Sequence, residues 1–241
     1  MRTTRTRRTG AAAAAAALGL AALTGFTPAG DDDPFPGQSG EQVAEKSLAA
    51  TRAATSLTMK GTAQAKGTSV WMDIQVSRSG DCKGTATVKG QGSFELIRNA
   101  KDVFLKADEG FTRAQLKHVP KEQADATVDL MADRWVKFSG TDPLFKELTP
   151  LCDLDELLGG SGQAEGAKKG KVVEEGGQEA LTVSVPYEDG TQEFYVATHG
   201  TPYILRLVQT GEESGDFSYS GFNKPVDAKA PPGDVLDFGS L

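Results

Sequence analysis

The sequence predicts a mainly β protein with helices (α+β), built as one curved antiparallel sheet with helices on one face. Three observations carry that reading. From Ser56 onward, apolar residues alternate with polar ones in run after run. Turn-forming residues punctuate these runs about every eight to twelve positions, the spacing of an antiparallel meander. Neither half of the chain holds an obvious second sheet of its own. The runs amount to about eleven strands. A β-sandwich is the alternative, but it leaves the helices without an apolar surface to cover.

Met1–Arg8 is basic and Ala11–Leu23 is apolar, the n- and h-regions of a secretory signal. The apolar stretch is too short to span a bilayer comfortably. It ends in Leu23-Thr24-Gly25-Phe26, which has the form of a bacterial lipobox with Phe26 in place of the acceptor cysteine. Lipid attachment needs a thiolate nucleophile, so this chain is not expected to be acylated at position 26. The best remaining cleavage site follows Ala29, placing a signal peptide at 1–29. Secretion of a soluble form and retention by an uncleaved signal are the two outcomes. Residues 30–40, rich in Asp, Pro and Gly, read as a solvated tether. A single domain is expected over 41–241.

The domain opens with a helix over Glu41–Thr55, whose stripe Val43, Ser47, Ala50, Ala54 and Leu57 is small enough to lie close against a sheet. Val70, Met72, Ile74 and Val76 alternate with Trp71, Asp73, Gln75 and Ser77 in a half-buried strand. Further strands are expected at Cys82–Lys89, Ser93–Arg98, Asp102–Lys106 and Phe111–Leu116. Gly90-Gln91-Gly92 lies between two of them and opens no helix, so it is a hairpin turn, not a phosphate loop. A helical insert follows. Ala124, Val128, Met131 and Trp135 share one stripe, Asp142-Pro143 caps and starts a helix, and Leu151–Leu158 forms a short helical turn. Gly159–Gly170 is a flexible connector. Alternation resumes with Leu181, Val183 and Val185, then Phe194 and Val196, then Tyr203, Leu205 and Leu207, then Phe217 and Tyr219.

Cys82 and Cys152 in an exported chain are most simply one structural disulfide. It would tie the third strand to the helical insert. Catalytic signatures are missing: there is no Gly-x-Ser-x-Gly elbow, His-Glu-x-x-His, P-loop or EF-hand loop. His118 and His199 sit in turn-like surroundings, and two His with two Cys argue against a zinc site of ordinary ligand count. No catalytic residue, metal or cofactor is expected. Residues 30–241 carry 22 bases against 33 acids, a net charge of −11. A body that acidic does not neutralise phosphates, so nucleic acid is excluded as a partner.

What remains is the apolar face, which is either an ordinary core or the wall of a cavity suited to a lipid. Pattern alone does not separate the two. The candidate lining residues are Val70, Met72, Ile74, Val76, Phe94, Leu96, Val103, Leu105, Leu181, Val183, Phe194 and Val196.

The order of features resembles actinobacterial exported lipoproteins of the LppX/LprG kind, which have the LolA-like fold. The likeness rests on the lipobox-like end and acidic tether, the Ala-rich helix, Ser56-Leu57-Thr58-Met59-Lys60-Gly61 and Gly80-Asp81-Cys82-Lys83-Gly84-Thr85. Asp102-Val103-Phe104-Leu105-Lys106, Asp133-Arg134-Trp135-Val136-Lys137 and the closing Phe222-Asn223-Lys224-Pro225-Val226-Asp227 fit the same pattern. It covers almost the whole mature chain. The resemblance implies a half-barrel of about eleven strands wrapped around helices, with an acyl-chain cavity between them and no catalytic residues. The expected function is an envelope carrier of a lipid or other hydrophobic ligand, with the membrane surface as a further contact and any protein partner undetermined. The alternative is an extracellular sensory or regulatory domain of the same fold. The departure is Phe26, which removes the lipid anchor.

Overall fold

The computed structural model describes residues 33–138, 148–159, 164–187 and 189–237. The signal segment with its lipobox-like end, the helix expected from Asp142 and part of the Gly159–Gly170 connector lie outside these residues. Asp33–Leu241 is one compact unit.

Helix α1 (Gly40–Arg52) starts at a capping box. Ser39 Oγ accepts from the Gln42 N–H at 3.2 Å, and Gln42 Oε1 accepts from the Ser39 N–H at 2.9 Å. Its buried stripe is Val43, Ala44, Ser47, Leu48 and Thr51, so Ala50 is not part of it. The expected helix ran three residues too far, and Leu57, expected at the end of its stripe, already belongs to the first strand. Ahead of the helix, within the segment expected as tether, Phe35 is buried in the core. Asp33 there pairs with Lys169 at 2.7 Å, and Lys169 Nζ also donates to the Phe35 carbonyl.

The first half of the sheet is a meander of β1 (Ser56–Ala65), β2 (Thr68–Ser77), β3 (Cys82–Val88), β4 (Gly92–Arg98) and β5 (Val103–Ala107). Phe111–Leu116, expected as a strand, is instead mostly helix α2 (Glu109–Gln115). Asp108 is the reason. Its carboxylate accepts from the Phe111 N–H and the Ser93 N–H, both at 2.7 Å, which caps the helix and pins it to β4. Phe111 then packs on Phe94, ring centroids 4.7 Å apart. Helix α3 (Lys121–Met131) follows, and Trp135, expected on its stripe, begins β6 (Trp135–Phe138). A 3₁₀ turn (Thr149–Cys152) and helix α4 (Leu154–Gly159) replace the single helical turn expected over Leu151–Leu158.

The second half comprises β7 (Lys168–Glu175), β8 (Gln178–Tyr187), β9 (Gly190–Ala197), β10 (Ile204–Gln209) and β11 (Ser214–Ser220), with β12 (Val235–Asp237) at the end. β7 takes up the close of the expected connector. The strand order is β12-β6-β5-β4-β3-β2-β1-β11-β10-β9-β8-β7. Every neighbouring pair is antiparallel except β12 with β6. The ends of the chain's strand order thus meet in the middle, where β1 pairs β11, and the expected single sheet holds, with twelve strands among the described residues. β7 is one edge. Its Lys and Glu side chains keep it polar, the usual protection of an edge strand.

Glycines in mid-strand let the sheet bend. A Cβ at Gly61 would lie 2.0 Å from the Asp216 carbonyl and 2.8 Å from the Phe217 ring, so only glycine permits β11 to close over β1 here. α1 packs on β7, β8 and β10, α2 on β4 and β5, and the 3₁₀ turn on β2. The inner face and these covers form one core. Among the described residues no helix is long and apolar enough to cross a membrane.

Candidate functional site

The sheet's alternation brings all twelve candidate residues together. Met72, Ile74, Val76, Phe94, Leu96, Val103, Leu105, Leu181, Val183, Phe194 and Val196 are buried members of the single main core, and half-buried Val70 packs against it. Val76, Val183, Phe194 and Val196 expose no surface at all. A void large enough for water would register as accessible surface on its walls, so this deep part of the face is packed solid.

One expected run breaks its period. Between Ile204 and Arg206 the pairing of β10 with β9 slips by one residue. This bulge sends Ile204 and Leu207 to the main core, whereas Leu205 joins Ala180 and Ala197 in a small second cluster beside Tyr203 and Phe222. Tyr203 and Phe222 stack with centroids 4.1 Å apart, and Asn223 next door donates to the Tyr203 hydroxyl at 2.7 Å.

Cys82 and Cys152 are disulfide-bonded. The bridge joins the start of β3 to the end of the 3₁₀ turn, as expected, and so places α4 over the concave face. Arg78 completes this attachment. Its guanidinium pairs with Asp155 of α4 at 2.7 Å, donates to the Ala54 carbonyl at 2.9 Å, and also meets the Arg52 carbonyl at the end of α1. A cation there suits the negative end of that helix.

Where α4 stops covering the sheet, the face opens. A groove of about 310 Å³ lies between Leu157 of α4 and the inner sides of β1, β2, β9, β10 and β11. Met59, Met72, Leu207, Phe217 and Tyr219 line it, so Met72 alone of the expected lining residues reaches it. Burial holds the Tyr219 phenol well above the usual tyrosine range, so the group stays protonated. A larger hollow of about 470 Å³ lies on the far side of α1, but Glu41, Glu45, Arg52 and Glu165 make its walls charged.

Met59, Leu207, Phe217 and Tyr219 were not among the expected lining residues, and neither was Gln192, the polar member of the inner face. It is 1% exposed and occupies an inward position of β9 in the series Gln192, Phe194, Val196. A polar residue on the apolar side of an alternating strand was the available signal. No candidate emerges from the histidines. His118 is exposed, and His199 meets Glu179 at 3.1 Å on the surface. Among the described residues no cluster of His, Cys, Asp and Glu has the arrangement of a metal site.

Among solved structures, LprF from Mycobacterium bovis is 16% identical, aligns over 80% of this chain and 97% of its own, and superposes with a TM-score of 0.56. The Mycobacterium tuberculosis lipoprotein LppX is 16% identical over 79% of this chain and 98% of its own, with a TM-score of 0.47. No family model matches the chain, and no curated protein does. The likeness to LprF is one of fold. The chain has the α+β half-barrel that its sequence motifs led us to expect.

Proposed function

We propose that the protein is an exported, non-enzymatic binding protein that holds a lipid or other hydrophobic molecule between sheet and helices, and that it serves as a lipid carrier of the cell envelope. One observation carries this reading. The concave face opens beside α4 into a groove in which Met59, Met72, Leu157, Leu207, Phe217 and Tyr219 form an apolar wall, with Glu156, Gln192, Gln209 and Glu213 as its polar members. In this reading Met72 meets the ligand, and the other inner-face residues form the apolar floor behind it. Residues 1–29 direct export, and Phe26 leaves the product without an acyl anchor.

The solid packing around Val183 and Phe194 favours a second reading, a sensory or regulatory domain with little apolar space that binds a protein partner. Mass spectrometry separates the two. Protein purified from its own host should begin near Gly30 with no acyl modification, and its solvent extract should contain a stoichiometric hydrophobic compound. An extract empty of such a compound, with a host protein retained in equal amount, would make the second reading the right one.

A further inference from the structure

Tyr219 carries a hydroxyl that the fold does not use. It holds an inward position of β11, opposite Met59 of β1 and two residues beyond Phe217, and all three line the groove beside α4. The residue is 6% exposed. Its hydroxyl makes no hydrogen bond among the described residues, and burial alone raises the phenol, with no donor or acceptor contributing. Among the described residues away from the exposed surface, Gln192 Oε1 is the one side-chain nitrogen or oxygen both fully enclosed and without a partner. The unbonded Tyr219 hydroxyl is therefore not fully enclosed, and the surface left to it belongs to the groove that the residue lines. A phenylalanine would pack the same wall without the cost of desolvating a hydroxyl.

The surroundings narrow what this hydroxyl can meet. A phenol held neutral donates a hydrogen bond, so the occupant must bring an acceptor into the apolar space. Glu156 and Glu213 stand on the lining, and no Lys, Arg or His does. A carboxylate or phosphate would meet repulsion there and find no cation. The acceptor is thus an uncharged one on an apolar chain, which an ester carbonyl supplies. The volume, about 310 Å³, is at the low end for small-molecule pockets, which run from about 300 to 1,000 Å³, and suits one chain, not several.

We infer that the groove binds a single-chain, uncharged fatty acyl ester, and that the ester carbonyl accepts a hydrogen bond from the Tyr219 hydroxyl. The chain lies against Met59, Met72 and Phe217. The inference rests on the lipid-binding reading above and adds the class of ligand and the side chain that anchors it.

Calorimetric titration of the exported protein, stripped of lipid, with methyl decanoate and decanoate tests it, each probe below its aggregation threshold at neutral pH. Infrared difference spectra of the bound ester, isotope-labelled at its carbonyl, give a second readout that needs no variant. The methyl ester should bind about tenfold more tightly than decanoate, whose charge faces the two glutamates. Its carbonyl stretch should lie below the value in hexane, since a donated hydrogen bond weakens the C=O bond. Tyr219→Phe should weaken ester binding about tenfold and return the stretch to the hexane value. It should leave the melting temperature unchanged or higher, because the hydroxyl it removes has no partner in the fold. A bound ester with the hexane stretch, tighter binding by decanoate, or an affinity untouched by Tyr219→Phe would overturn the assignment while leaving the carrier reading intact. A lower melting temperature in Tyr219→Phe would overturn it too, by giving the hydroxyl a structural role. Failure of both probes to bind would overturn the inference, and the carrier reading with it where the host extract is also empty.

Discussion

Arg206 on the outer face of β10 shows how far a single side chain organises its surroundings. Its guanidinium meets Asp216 of β11 through two hydrogen bonds, at 2.7 and 2.6 Å, reaches Glu175 of β7 at 3.4 Å, and lies 5.3 Å from the centre of the Tyr195 ring. Those hydrogen bonds hold the Asp216 carboxyl below its ordinary value of 3.8, against the opposing effect of desolvation, and Asp216 in turn raises Arg206. A depressed carboxyl contributes stability that is complete above its unfolded pKa and disappears as pH falls through its folded one. Asp216→Asn should therefore change the melting temperature little in acid below about pH 3, and lower it at neutral pH by an amount corresponding to about 1 kcal/mol or less, because the pair is half exposed. Melting curves of parent and variant from pH 2 to 7 check this. A gap that widens towards acid would contradict it.

Among the elements, α2 is where local pattern and final structure part. Phe111–Leu116 alternates well enough to pass as a strand, yet Asp108 in front of it offers a carboxylate to two backbone N–H groups, one on the helix and one on β4. Asp108→Ala removes both acceptors and should cost about 1–2 kcal/mol, read from the denaturant midpoint. Asp108→Asn keeps one acceptor oxygen and should fall between variant and parent. The general reason such elements are hard to read is that a cap acting across strands is invisible to periodicity. The same holds for Leu205, where a bulge moved one residue of a regular series to the opposite face. Long runs with unambiguous period, such as Val70–Val76 and Cys82–Val88, came out as expected because nothing tertiary competes with them.

At the scale of the molecule, the covers of the concave face are held by few attachments. The disulfide closes a loop with a sequence separation of 70 residues between β3 and the 3₁₀ turn. Restricting the unfolded chain in this way is worth about 4 kcal/mol on the chain-entropy model. Reduction, or the double substitution Cys82→Ala with Cys152→Ala, should lower the melting temperature by about 5–15 °C. It should also weaken capture of a hydrophobic probe, since α4 forms one wall of the groove. A melting temperature unchanged by reduction would show that Arg78 and the packing of Leu154 and Leu158 hold the cover without it.

The sequence by itself determined the class of the protein. Period-two runs, the turns between them and two cysteines led to one antiparallel sheet with helices and one disulfide, because each of these follows from composition or from short-range spacing. It also identified which side chains share the inner face, since alternation along a strand is a local property. Only the tertiary structure decided which part of that face is solid and which is open. Met72 and Val183 have the same place in their respective alternations, but Met72 borders the groove and Val183 is fully enclosed. The difference lies in what covers each strand: α1 packs on β8, whereas the groove opens between β2 and α4, elements more than seventy residues apart, and no local pattern carries that information. The same is true of Gln192, whose side-chain oxygen is left without a partner because its amide nitrogen donates to Gln209 on the neighbouring strand, a pairing no local pattern announces.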